Sequence, residues 1–344
     1  MAKATIDDVA QLAGVSIKTV SRVVNHEPNV RESTRTKVDE AILQLNYRPN
    51  LSARNLASHR SHLIVLVYDD PTAYEAPSSG YVVRLQEGML NACKKTNCDL
   101  LIHPCNYRDA GVNSDLRTLI ERTRPDGVVI AAPLSNMTSI VGAIAQTNTP
   151  HVRISPGRSN RGEFSVATND RAVSAEMTRY LVSLGHNRIA FITGHPKHKA
   201  VANRVQGFKD GLKQTGLSFD ENRVVKGDSS IASGASCADA LLDLPSPPTA
   251  IFAANDDMAA GVIRVASRRG IDIPGQLSVA GFDDSALALQ IFPAMTTVRQ
   301  PLAEMAQTAA MALIGEDRDE IMQAGALTIP GTLQVRESTG PAPG

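Results

Sequence analysis

The sequence predicts an α/β protein in two parts: a three-helix N-terminal module with helix-turn-helix spacing, followed by a larger, two-lobed domain of parallel, doubly wound sheets. Three observations predict it. From Leu63 onward, short β-rich runs alternate with helix-length amphipathic stretches, the runs lying at 63–67, 99–102, 127–132, 188–193, 249–254 and 277–281. These runs are apolar throughout rather than alternating, which is the pattern of strands covered on both faces in a parallel sheet. The first 60 residues hold no such run and read as helices only, and a chain of 344 residues exceeds one ordinary domain.

The first helix starts at Thr5-Ile6-Asp7-Asp8, a hydroxyl N-cap with a carboxylate three positions on, which is a capping-box variant. Val9, Ala10 and Ala13 form its inner face, and Gly14 supplies the backbone freedom for a tight turn. Ser16 caps a second helix whose apolar side is Val20, Val23 and Val24. A third helix is predicted over residues 35–45, burying Val38, Ala41, Ile42 and Leu45 and stopping ahead of Pro49. The core leaves Ser16, Ile17, Lys18, Ser21 and Arg22 to face outward at the start of the second helix. In a helix-turn-helix these positions meet base edges, where Lys18 and Arg22 can donate to guanine and Ile17 can touch a thymine methyl. Net charge is zero overall, but residues 1–60 carry nine basic against six acidic side chains, so any polyanion-facing part is N-terminal. On pattern alone, a plain helical bundle with a solvated basic face stays open.

Residues 47–61 connect the two parts. Asn50 can cap a helix over residues 51–58, too short to persist alone in water, where isolated helices need about 12–15 residues. Ala53 and Leu56, small then large on one face, suit packing against the same helix of a second subunit. An ordinary linker fits the composition equally well.

In the large domain, residues 151–168, with Pro156, Gly157 and Gly162, are predicted as the first crossing between lobes, and residues 282–297 as the second. The first lobe is then about 62–160 plus 294–326, and the second about 161–293 plus 327–340. Doubly wound sheets bind ligands beyond the carboxyl ends of their strands, so paired lobes place a cleft there. Asp69, Asn255 and Asp283 each follow such a strand. Their carboxylates and amide suit neighbouring hydroxyls, and Tyr68, Tyr74 and Tyr81 could stack on a ring.

The runs TIDDVAQLAGVSIKTVSRVVN and LNYRPNLSARNLAS closely resemble the headpiece and hinge of the LacI/GalR family of bacterial regulators. The likeness continues through VSLGHNRIAFITG, NRVQGF, AANDDMAAG, LSVAGFDD and MTTVRQP, in the family's order and over nearly the whole chain. It implies a periplasmic-binding-protein-like effector domain, an operator of double-stranded DNA, a small-molecule effector that is a sugar or sugar derivative, and a homodimer. It implies DNA contacts from Thr5, Ser16, Ile17, Lys18, Thr19, Ser21, Arg22, Asn25, Tyr47, Asn50 and Ala53, with Leu56 as a minor-groove wedge that bends the duplex. Arg204 matches the family's effector-binding arginine, and Asn255 and Asp283 match binding positions, so the candidate effector set is Asp69, Tyr74, Tyr81, Ser155, Arg204, Asn255 and Asp283. Ser155 and Ser229 depart from the pattern, standing where the family often has a sugar-binding aspartate and a stacking aromatic. Arg31 stands where a capping serine is common. The role implied is a repressor released from a palindromic operator by its effector, the alternative being corepression or activation with a non-sugar ligand.

Other classes find less support. GxSxG, P-loop and HExxH patterns are missing, so no enzyme is expected, and His195 and His198 read as a polar loop near the cleft mouth. Neither a cofactor nor a metal is expected, and Cys93, Cys98, Cys105 and Cys237 form no CxxC pair. No apolar run reaches the roughly 18 residues of a membrane span, and residues 1–12 do not resemble a signal peptide, so a cytoplasmic location is expected. The tail GTLQVRESTGPAPG lacks the heptads of a tetramerisation helix, leaving the dimer as the expected assembly.

Overall fold

A computed structural model of the chain describes residues 4–24, 28–47, 60–70, 80–158, 163–315, 318–323 and 325–344, and divides into two compact units, Met1–Ser61 and His62–Gly344.

The first unit holds α1 (Ile6–Ala13), α2 (Ile17–Val24) and α3 (Glu32–Gln44). The capping box forms: the Asp8 amide donates to Thr5 Oγ1 at 3.3 Å, and the Thr5 amide donates to the Asp8 carboxylate at 2.8 Å. Gly14 takes the left-handed conformation, φ 65°, and its amide donates to the Ala10 and Gln11 carbonyls, closing α1. Ser16 Oγ accepts from the Thr19 amide at 3.2 Å and so caps α2. Val9, Ala10, Val20, Val23, Val38 and Ala41 form the shared core, with Ala13, Val24, Ile42 and Leu45 half-buried around it. The third helix begins three residues earlier than expected, at Glu32, although Arg31 makes no side-chain cap. The Arg31 carbonyl accepts from the amides of Thr34 and Arg35, so the backbone alone starts this helix and no capping side chain marks it in the sequence.

The second unit contains two six-stranded sheets. In the first the order is β11-β5-β4-β3-β1-β2, from β1 (Leu63–Asp69), β2 (Asp99–Cys105), β3 (Gly127–Ile130), β4 (His151–Ile154), β5 (Ser165–Ala167) and β11 (Ala326–Thr328). All its pairings are parallel. The second has the order β12-β10-β9-β8-β6-β7, from β6 (Ile189–Thr193), β7 (Val224–Lys226), β8 (Ala250–Ala253), β9 (Ser278–Asp283), β10 (Thr296–Arg299) and β12 (Thr332–Gln334). It is parallel except where β12 runs antiparallel to β10.

The crossings differ from the sequence expectation. Residues 151–168 are not a crossing but carry β4 and β5, both in the first sheet, with the turn at Pro156 and Gly157 between them. Residues 165–167 therefore belong to the first lobe. Likewise β10 aligns Thr296 with Ala280 of β9, which puts residues 294–300 in the second lobe rather than the first. The chain returns to the first lobe only with the helix Leu302–Ile314, and β11 keeps residues 327 and 328 there before β12 crosses back. The helix Leu302–Ile314 lies against Gly80–Thr96 so closely that a Cβ added at Gly88 would stand 2.0 Å from the Ala303 carbonyl oxygen. The second lobe packs on aromatic rings, with Phe191 centred 5.3 Å from Phe208 and 5.1 Å from Phe252.

Candidate functional site

On α2 the valine stripe fills the core and the opposite side stays in solvent. Ser16, Lys18 and Arg22 are exposed and Ile17 is 48% exposed, while Thr19 and Ser21 are half-buried. An isoleucine left that open beside two cations is available for contact rather than for packing. Thr5 is held in the capping box, and Tyr47 packs against the headpiece core. Asn25, Asn50, Ala53 and Leu56 lie outside the described residues, as does Tyr74.

In the second unit, the carboxyl ends of β1, β6, β8 and β9 surround a cavity of about 200 Å³. Tyr68 and Asp69 end β1, Asp283 ends β9, and Ala254 and Asn255 follow β8. Tyr81 enters from the helix Gly80–Thr96 and Arg204 from the helix Ala200–Gln214. Asp69, Tyr81, Arg204, Asn255 and Asp283 are thus brought together. Ser155 is not among the lining residues: it is 1% exposed, takes φ 49° and uses its amide on the Val166 carbonyl.

Arg204 is 2% exposed and tightly held. Its Nε donates to Asp170 Oδ1 at 2.7 Å, its Nη1 donates to the Ala254 carbonyl, and its guanidinium carbon sits 3.7 Å from the centre of the Phe282 ring. Burial raises the Asp170 carboxyl even with the guanidinium beside it, which marks a poorly solvated site. Asp283, 3.9 Å from Arg204 Nη1 and accepting from Gln300 Nε2, is likewise pushed well up by burial. Beneath them Asp256 accepts from Thr297 Oγ1 at 2.6 Å and from the Ser285 amide at 2.7 Å, yet burial lifts it to about 7. Asn255 acts as the N-cap of the helix Asp256–Arg268, its Oδ1 accepting from the Met258 amide at 3.0 Å and its Nδ2 donating to the Ser229 carbonyl at 2.9 Å.

Among the described residues, two buried polar atoms on side chains that line this cavity have no hydrogen-bond partner, His198 Nε2 and Arg204 Nη2. Burial holds the His198 imidazole neutral, with its pKa lowered to about 3. His195, which also lines the cavity, joins the two lobes through a 3.1 Å bond to the Tyr107 hydroxyl. Because the Lys197 amide donates to His195 Nδ1 at 3.2 Å, the proton of the neutral ring lies on Nε2, which donates to Tyr107 Oη. His195, His198, Asp228 and Asp257 line the cavity without having been selected from the sequence. The signal was present for the two histidines, since they follow strand RIAFIT as Asn255 follows TAIFAA. A cleft with converging carboxylates, neutral imidazoles and one unfilled guanidinium nitrogen can hold a small polar molecule by hydrogen bonds.

Comparison with known proteins bears on both units. Residues 5–50 match the model for bacterial regulatory proteins of the lacI family, and residues 178–339 match that for a periplasmic binding protein-like domain. The chain is 32% identical to the HTH-type transcriptional regulator DegA of Bacillus subtilis (strain 168), over 98% of its own length and 99% of DegA. Among solved structures it resembles the lac repressor dimer bound to operator and the anti-inducer ONPF, with a TM-score of 0.81, 27% identity, and 98% and 100% of the two chains covered. It also resembles a complex of the transcriptional regulator CelR with cellobiose, with a TM-score of 0.74, 29% identity, and 97% and 99% covered.

Proposed function

This chain belongs to the LacI family of bacterial regulatory proteins, and from that premise we propose that it represses transcription as a homodimer and leaves its operator when a sugar-like molecule fills the cleft. It is a DNA-binding transcription regulator, and its role is binding, with no catalytic step. Two copies present two α2 helices to half-sites about one helical turn apart. Ser16, Ile17, Lys18, Thr19, Ser21 and Arg22 read the major groove, and the protein acts in the bacterial cytoplasm.

One observation carries the effector half of this role: among the described residues, His198 Nε2 and Arg204 Nη2 are buried and unpartnered on side chains lining one cavity. A buried polar atom without a partner costs roughly 1–3 kcal/mol, and sugar hydroxyls, each donor and acceptor, would relieve both. The lobes meet at this cavity, so a ligand held by both favours one lobe arrangement over another, as the switch requires. Moving the operator from nearly full to nearly empty takes about 5.5 kcal/mol of differential affinity.

The test is fluorescence anisotropy on an operator selected from random DNA, titrated with mono- and disaccharides and their derivatives. Release of the DNA by a sugar is the expected outcome. Tightening would reverse the sign of the switch, and silence from every sugar would overturn the assignment of effector class.

A further inference from the structure

Building on the sugar-effector role above, we propose that the cleft takes a hydroxyl-rich ligand that carries no acid group, admitting neutral sugars and amino sugars and rejecting uronates and sugar phosphates. The charge lining the cavity is one-sided. Among the described residues, Asp69, Asp228, Asp257 and Asp283 line it against a single guanidinium, that of Arg204. That guanidinium is already engaged by Asp170 at 2.7 Å and by the Ala254 carbonyl, with Asp283 3.9 Å away, so an incoming acid would have to share it with two carboxylates.

The remaining basic groups nearby do not change this balance. Lys197 Nζ stands 4.3 Å and the Arg108 guanidinium carbon 5.0 Å from the centre of the Tyr107 ring, outside the cavity lining, where both oppose the rise that burial imposes on Asp69. Burial lowers His195 and His198, so neither imidazole supplies positive charge at neutral pH. Against its partial burial, hydrogen bonds from the Ser230 amide and from Ser233 keep Asp228 low and therefore ionised. Burial raises Asp69, Asp257 and Asp283; at Asp69 and Asp283 it outweighs the opposing pull of Arg108, Lys197 and Arg204, and at Asp257 no cation opposes it.

A hydroxyl can donate to one of these carboxylates while accepting from Arg204 Nη2, and an ammonium can donate to several, whereas an acid group can only accept. Like charges a few ångströms apart in such surroundings weaken binding by at least about tenfold.

The experiment measures Kd by calorimetry, on the full chain, for matched probe families: galactose, galactosamine, galacturonate and galactose 6-phosphate, the corresponding glucose and ribose derivatives, and cellobiose. In whichever family binds, the neutral and amino members should outrank the acidic ones by at least about tenfold. A uronate or phosphate that binds as tightly as its neutral parent overturns this inference and leaves the sugar-effector role standing. Failure of every probe, whatever its charge, overturns that role and this inference with it. Asp69→Asn and Asp257→Asn each remove one lining charge and keep an oxygen acceptor, so each should narrow the neutral-over-acid preference several-fold. That preference is a ratio within one protein, so a general loss of affinity cancels. An unchanged ratio in both variants would remove the electrostatic explanation.

Discussion

The headpiece buries Val9, Ala10, Val20, Val23, Val38 and Ala41, none larger than valine, whereas the second lobe is built on Phe191, Phe208, Phe252 and Phe282, each at 1% exposure or less. A unit that removes so little apolar area from water has to draw on local devices, namely the Thr5–Asp8 capping box, the Gly14 turn and the Ser16 cap. Its small core also leaves Ile17 and Lys18 exposed at the start of α2. The second lobe has the reverse arrangement: packing supplies its stability, and it can tolerate a cleft lined with several carboxylates.

Phe252→Ala should separate the two units most sharply, lowering the stability of the large domain by about 4 kcal/mol through its cavity and leaving the headpiece transition in calorimetry where it was. If both transitions move together, the units do not melt independently and the contrast fails. Next comes Arg204→Ala, which strands Asp170 in a dry site and should destabilise the large domain by about 3 kcal/mol while removing the effector response. Operator binding should survive it in anisotropy measurements. In the headpiece, Val23→Ala should cost about 2 kcal/mol, a larger fraction of that unit's stability than Phe252→Ala takes from its own, as thermal melts would record. Thr5→Ala should cost the headpiece about 1 kcal/mol, and Thr5→Ser should restore most of it, since only the hydroxyl is needed for the cap.

The gentlest perturbation is pH. Asp256 is raised to about 7 from an ordinary value of 3.8, so the folded large domain holds a proton that the unfolded chain has lost. The stability this confers is fully present below about pH 4 and is gone once the pH has risen through about 7. Asp256→Asn should therefore gain on the wild type, in urea midpoints, as pH rises from about 5 to 8, whatever the neighbouring histidines contribute to both. The headpiece transition should show no such difference, because Asp256 belongs to the other unit. A constant gap between the two proteins would mean that Asp256 does not titrate in the folded domain over that range.

The same contrast in construction explains what the sequence revealed. Long apolar runs such as LIVLV and TAIFAA announce buried central strands, and their ends located Asp69, Asn255 and Asp283 beside the cleft. The three-residue strands went unseen, including Val224–Lys226 and Thr332–Gln334 at sheet edges, because so short a segment has no periodicity to read. That blindness also shifted the crossings, since β4, β5 and β10 fell within segments read as connections. In the site, Arg204 was legible and its partner Asp170 was not, because a contact between residues 34 apart is set by the packing of two helices. Asn255 was found for one reason and serves another, spending its side chain on a helix cap.

The late return of the chain to the first lobe has a consequence for how the protein is made. The groove at Gly88 is filled only when Leu302–Ile314 has been synthesised, and the edge strand Ala326–Thr328 follows later still. On a ribosome, which releases chains from the N-terminus at about 5–20 residues per second, the headpiece is complete long before the first lobe can close. The part that touches DNA therefore matures first and the part that restrains it last. A message broken before residue 300 would yield a headpiece that can fold, attached to a domain unable to answer any signal.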